Sequence, residues 1–115
     1  MAVKTGISID PVYIPNADGE ILAVPTGVTR RVITAAAVQC NAGCTVTIYR
    51  LNSGGTSTTL TRIYQKALSA GDSEPVINLI GQSLEVGGTL RADDGASGGT
   101  DVTIHFTVTD YNNNS

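Results

Sequence analysis

The chain has 115 residues and a mass of 11.8 kDa, which suits one domain with a real hydrophobic core and is too small for two. Hydrophobic residues make up 41% and charged residues only 15%, so the surface must be covered largely by Thr, Ser, Asn and Gly. A formal charge of −3 and a pI of about 4.8 argue against nucleic acid as a partner, because phosphate binding needs a basic patch.

None of the apolar runs approaches the roughly 20 residues that cross a bilayer as a helix, so no membrane span is expected. Residues 1–10 alternate apolar with polar around a single lysine. They lack the continuous apolar stretch of a secretory signal, and the expectation is a protein made and used in the cytoplasm.

Taken in chain order, residues 3–14 read as a leading strand or arm, followed by a turn at Asn16-Ala17-Asp18-Gly19 and a short strand at 20–24. After Pro25-Thr26-Gly27 comes the segment 31–39, apolar on both faces and without a helical cap, which predicts a strand buried on two sides. A turn at Asn41-Ala42-Gly43 leads into 44–50, where Val46 and Ile48 fall inward and Thr45, Thr47 and Tyr49 outward. Weaker strands are expected at 58–68, 75–80, 84–85 and 89–93, separated by the Gly-rich turns 52–56, 69–72, 86–88 and 94–99. The clearest alternation is at 101–109: Val102, Ile104, Phe106 and Val108 share one face, and Thr103, His105, Thr107 and Thr109 the other.

These elements predict an all-β, single-domain antiparallel β-sandwich, a jelly roll of about eight strands. The expected organisation is an N-terminal arm or leading strand at 1–15, the sandwich at 16–110 and a polar tail at 111–115 that frays unless a neighbour holds it.

Residues capable of chemistry are few and scattered. His105 points to the polar face of the last strand between threonines, with no carboxylate in local sequence to orient it, which reads as a surface histidine and not as a base. Cys40 and Cys44 flank a turn that brings them within disulfide range; two free thiols are expected in a reducing compartment, with a hairpin disulfide as the alternative. Zinc would need about four ligands, and only His105 remains to help. Asp93, Asp94 and Asp101 offer oxygens to calcium, but without the spacing of a known loop, and Asp-Gly is also ordinary turn chemistry. Glu20, Glu74 and Glu85 lie at strand ends and turns with nothing to pair any two for glycoside hydrolysis. Lys4, Arg30, Arg31, Arg50, Arg62, Lys66 and Arg91 read as a solvated strand face or as contacts between subunits. No catalytic, cofactor-binding or metal-binding residue is assigned, and no enzymatic activity or cofactor is expected.

From Ile21 onward the order of features resembles small structural proteins of tailed-bacteriophage virions. The resemblance is carried by Val24-Pro25-Thr26-Gly27, Val46-Thr47-Ile48-Tyr49 and Leu68-Ser69-Ala70-Gly71, then by Leu84-Glu85-Val86-Gly87-Gly88-Thr89-Leu90-Arg91-Ala92 and the closing strand from Asp101 to Val108. Gly88, where aspartate is commoner, and the cysteine-bearing turn depart from the pattern. The resemblance implies a capsid decoration or cement protein, non-enzymatic, whose partners are the major capsid protein and its own copies as a homodimer or homotrimer. It would be assembled in the host cytoplasm and reside in the virion. A tail or head-tail junction component, and a glycan-binding β-sandwich module, are the alternatives.

Overall fold

Runs of β-branched residues broken by glycine turns leave the chain little choice but strands. A computed structural model describes residues 2–95 and 98–112 as nine strands and one short 3-10 turn: β1 (Ala2–Tyr13), β2 (Gly19–Ala23), β3 (Arg30–Cys40), β4 (Cys44–Leu51), β5 (Arg62–Leu68), β6 (Ser73–Pro75), the 3-10 turn (Ile77–Leu79), β7 (Ser83–Glu85), β8 (Thr89–Asp93) and β9 (Val102–Asn112). Within the expected loop at 94–99, residues 96 and 97 lie outside the described residues, as do residues 113–115 of the expected tail.

The pairing is antiparallel throughout and nested: β4 with β5, β3 with β6 and β7, β2 with β8, β1 with β9. It is one long hairpin rolled up. The strands separate into sheet A, ordered β1-β9-β3 with β6 and β7 sharing the far edge of β3, and sheet B, ordered β2-β8-β4-β5. This is the strand order of a jelly roll, with nine strands occupying eight positions because β6 and β7 are two halves of one broken edge strand.

The inner faces meet in a single core. Ile33, Val38 and Cys40 of β3 and Val102, Ile104, Phe106 and Val108 of β9 pack against Val46, Ile48, Leu90 and Ala92 from the opposite sheet. The four apolar residues expected to share one face of β9 are all buried, and His105 is exposed.

Segment 31–39 departs from its expectation. It is buried on one face only, as Arg31 and Ile33, then Ala36, Val38 and Cys40, while Thr34, Ala35 and Gln39 are exposed. A bulge explains the pattern: the register against β9 slips between Ile33 and Ala35, and one extra residue turns the inward parity from odd to even. The same device makes Ile21 and Leu22 both buried, since β2 slips against β8 at that point.

Segment 75–80 is not the expected strand either. Strict alternation from Val76 would carry polar Asn78 into the core. In a 3-10 turn, residues three apart eclipse, so Val76 and Leu79 are both buried while Ile77 and Ile80 face out at 71% and 47% exposure. The ladder is not left open, because Val76 N–H donates to the Ala36 carbonyl and Gly81 N–H to that of Ile33 (2.9 and 2.8 Å). The strand expected to begin at 58 starts at Arg62. The Thr61 hydroxyl bonds the Thr56 and Thr58 carbonyls (3.0 and 3.1 Å), and such local partners compete with a ladder. Thr47, expected outward, does face away from the core but is covered, accepting a hydrogen bond from the Gln65 amide at 3.2 Å.

Two arginines close one end of the sandwich. Arg31 continues the inner face of sheet A and pairs with Asp110, its cross-strand neighbour on β9, through Nε to Oδ1 (2.7 Å) and Nη2 to Oδ2 (2.8 Å). Its remaining nitrogen, Nη1, donates to the Ala23 carbonyl of sheet B at 3.1 Å. From the other side, Arg50 of sheet B donates through Nε and Nη2 to the Ser83 carbonyl of sheet A (3.0 and 2.6 Å). Removing one member of a buried pair strands the other charge. Asp110→Ala is therefore expected to cost about 3–5 kcal/mol in urea denaturation, whereas Arg31→Leu combined with Asp110→Leu costs less than the single change. A double variant as damaged as the sum of its parts would show that the pair contributes only packing.

Candidate functional site

Candidate chemistry is dispersed by the fold. His105 stands on the outer face of sheet A, opposite Ala37 of β3, and its imidazole makes no hydrogen bond or ion pair to the described residues. Without a nucleophile or an orienting acid beside it, an imidazole has nothing to relay a proton to.

The three aspartates at the opposite end of the sandwich shape their own loop. Asp93 Oδ1 accepts from Gly95 N–H (3.0 Å), Asp94 Oδ2 from Gly99 N–H (3.0 Å) and Asp101 Oδ2 from Gly98 N–H (2.6 Å). Asp94 is fully buried and serves as an internal anchor for the turn. Among the described residues no group of three or more His, Cys, Asp or Glu is arranged to hold a metal ion.

Glu20, Glu74 and Glu85 lie apart. Glu74 crosses between the sheets, accepting from the Tyr64 hydroxyl at 3.2 Å and from Lys66 Nζ at 2.9 Å, which latches the β5 edge to β6. Glu85 accepts from the Ser83 hydroxyl at 3.4 Å, and Glu20 is exposed on β2. The cations are mostly engaged within the chain. Arg91 is held by Asp18 at 3.0 Å, and Arg30 lies over the ring of Tyr111, 4.3 Å from its centroid, a cation–π contact on the outer face of sheet A.

What remains is surface shape at the arginine-closed end, where the loop 24–29 stands between two shallow grooves. One, of about 370 Å³, is mostly apolar and lies against the start of β1 and the end of β9, with Ile7, Pro25 and Val28 as its floor and Lys4, Asp110 and Asn112 at its polar margin. The other, of about 360 Å³, lies between that loop and Val86, which is 68% exposed. The turn beside it is tightly specified. A Cβ on Gly88 would meet the Glu85 and Leu51 carbonyl oxygens at 3.0 and 3.2 Å, and one on Gly87 would lie 2.6 Å from the Ser53 hydroxyl at a φ of +80°. The glycine pair thus presents Val86 at a fixed place, and glycine at 88 answers to close backbone approach.

No protein-family model, curated protein or solved structure matches the chain.

Sequence reasoning ended the sandwich at Asp110 without giving it a partner, and it read Arg31 as part of a solvated strand face or as a contact between subunits. The missed signal was parity, since Asp110 continues the inward series 102, 104, 106, 108. No helix among the described residues is long and apolar enough to cross a membrane.

Two groups have perturbed acidity. Burial, the Glu74 hydrogen bond and the Glu74 charge push the Tyr64 phenol up to about 12. Burial, the neighbouring Cys40 and the charges of Asp94 and Asp101 push the Cys44 thiol up to about 11. Both residues favour the protonated form in the fold, so their stabilisation is complete below the unfolded values and is lost as pH rises, from 9.0 to about 11 for Cys44 and from 10.0 to about 12 for Tyr64. Tyr64→Phe is expected to cost about 1 kcal/mol at pH 8, and this deficit should shrink as pH climbs through the tyrosine window. Urea midpoints of both proteins across that range provide the measurement; a constant deficit would mean that Tyr64 ionises like a free phenol.

Proposed function

We propose that the chain is a non-enzymatic structural component of a tailed-bacteriophage virion, a capsid decoration or cement protein that bridges and stabilises major capsid subunits. The observation that carries this reading is the end of the sandwich bearing loop 24–29 and Val86. It combines apolar grooves and a projecting aliphatic side chain on a rigid, hydrogen-bonded base, and it offers shape without reactive groups. Such a surface fits docking by apolar burial with a polar margin. The jelly roll is itself a recurrent capsid architecture, and the resemblance across residues 21–108 points the same way.

The mechanism needs no reaction. Each copy would seat its loop-bearing end across neighbouring shell subunits, and self-association as a homodimer or homotrimer would multiply a modest contact around a symmetry axis. Binding only the assembled shell stabilises that shell by mass action. A tail or head-tail junction component would use the same surface at a lower copy number. The glycan-binding reading has thinner support, because sugar platforms are built on exposed aromatics and Tyr13, at 56% exposure, is the one large aromatic among the exposed hydrophobic residues.

Quantitative mass spectrometry of purified particles is the test. Copies in simple proportion to the major shell protein are expected for a decoration protein; a handful per particle would move it to the tail or junction, and absence from particles would remove the virion reading. In a shell-retention assay, Val86→Asp should weaken binding about tenfold or more, since desolvating a charge in an apolar contact costs upward of 1.4 kcal/mol. Retention unchanged by that substitution would dissociate Val86 from the interface.

A further inference from the structure

The end of the sandwich opposite the grooves carries both cysteines of the chain. Cys40 is the last residue of β3 in sheet A and Cys44 the first of β4 in sheet B, so the turn 41–43 is a corner between sheets. Cys40 is fully buried and Cys44 half-buried against the same core. Both thiols are free; the Cys40 thiol lies 2.9 Å from the carbonyl oxygen of Ala42, midway along the turn to Cys44, and both cysteines pack against the same core.

The corner around them is fixed by its neighbours. Cys40 N–H donates to the Asp72 carbonyl and Gly71 N–H to the Cys40 carbonyl, each at 2.8 Å, and Asn41 N–H donates to the Asp101 carbonyl at 2.7 Å. Backbone bonds on both sides of Cys40 therefore fix its place at the corner, and Cys44 follows across a turn of three residues, short enough for the two sulfurs to be drawn together into a disulfide.

We propose that Cys40 and Cys44 are an oxidisable pair whose intramolecular disulfide staples sheet A to sheet B at this corner. With a small disulfide such as oxidised glutathione as oxidant, the reaction runs in two exchanges. Cys44, the accessible member, loses its proton and attacks one glutathione sulfur, releasing the first glutathione as a thiol and leaving a mixed disulfide. Cys40 then loses its proton and attacks the Cys44 sulfur, releasing the second. Two protein thiols are oxidised and one small disulfide is reduced to two thiols.

The reaction is slow at neutral pH. Cys44 is partly buried, and that desolvation, the neighbouring Cys40 and the charges of Asp94 and Asp101 all oppose its thiolate. The pair thus stays reduced through brief exposure to an oxidant and closes under sustained oxidation, as when an assembled particle leaves a reducing cell.

The full-length protein is incubated with oxidised glutathione, then denatured, alkylated and weighed. Wild type should lose two hydrogens, keep no alkylatable thiol and remain monomeric on a non-reducing gel. Its melting temperature should rise by about 5 °C, reversibly with dithiothreitol, as expected for a staple across a short loop. Cys40→Ser should instead accumulate one glutathione at Cys44, for lack of a resolving thiol, while Cys44→Ser takes none because Cys40 is buried. Wild type that keeps both thiols, forms disulfide-linked dimers or melts no higher when oxidised would overturn the proposal. So would a Cys44→Ser protein glutathionylated as fast as Cys40→Ser.

Discussion

A carboxylate and a guanidinium buried between the sheets set the closed end of this jelly roll. Asp110 and Arg31 occupy one register position on β9 and β3, and the third arm of the guanidinium is spent on a carbonyl of β2. A bidentate, charge-assisted pair has one good geometry, so it holds the guanidinium fixed on sheet A and aims its third arm across the gap at β2 of sheet B. Arg50 repeats the stitch from the other sheet. Apolar packing alone would hold the sheets together but would tolerate sliding; directional bonds across the gap do not. That rigidity keeps loop 24–29, which joins β2 to β3 beside Arg31, in place between its two grooves.

Strand faces were legible in the sequence wherever alternation ran unbroken. The β9 residues 102 to 108 and the β4 residues Val46 and Ile48 take the faces that a period of two assigns to them. Illegibility began where a single residue was inserted into the ladder. Thr34 turns a half-buried strand into one that looks apolar on both faces, and the slip at β2 puts Ile21 and Leu22 side by side in the core. A bulge has no composition signature of its own, since its cause is the twist that neighbouring strands require. The 3-10 turn at Ile77–Leu79 was hidden for a related reason. Its apolar residues suit a strand by propensity, and only the position of Asn78 betrays a spacing of three.

Polar residues were harder to place than apolar ones. A charge in a β-rich chain is solvated by default, and nothing local distinguishes Arg31 from Arg30, although one is buried in an ion pair and the other lies over Tyr111 on the outer face. The distinction is set by partners about 80 positions away in sequence. His105 was legible as an exposed residue, because it takes the outer face of β9 that the alternation assigns to it. The grooves beside loop 24–29 were not, since a groove belongs to the space between elements and not to any one of them.

The distribution of polar bonding also separates the two ends of the molecule by task. At the end with loops 41–43, 69–72 and 94–101, side-chain carboxylates are turned inward onto backbone N–H groups, as Asp72 is onto Ser69 at 2.7 Å and Asp94 onto Gly99. Carboxylates so occupied consolidate the corner that carries the two cysteines and leave less polar chemistry to present to a partner. At the end with loops 24–29 and 86–88, exposed Val86 on its glycine turn, and exposed Pro25 with half-buried Val28 over their groove, stand among polar neighbours such as Thr26 and Glu85. Exposed apolar surface on a rigid base is costly in water and pays that cost back only when covered. One end of the sandwich is thus stiffened by its own carboxylates, while at the other the exposed Val86 and Pro25 keep an apolar cost that burial against a second surface would relieve.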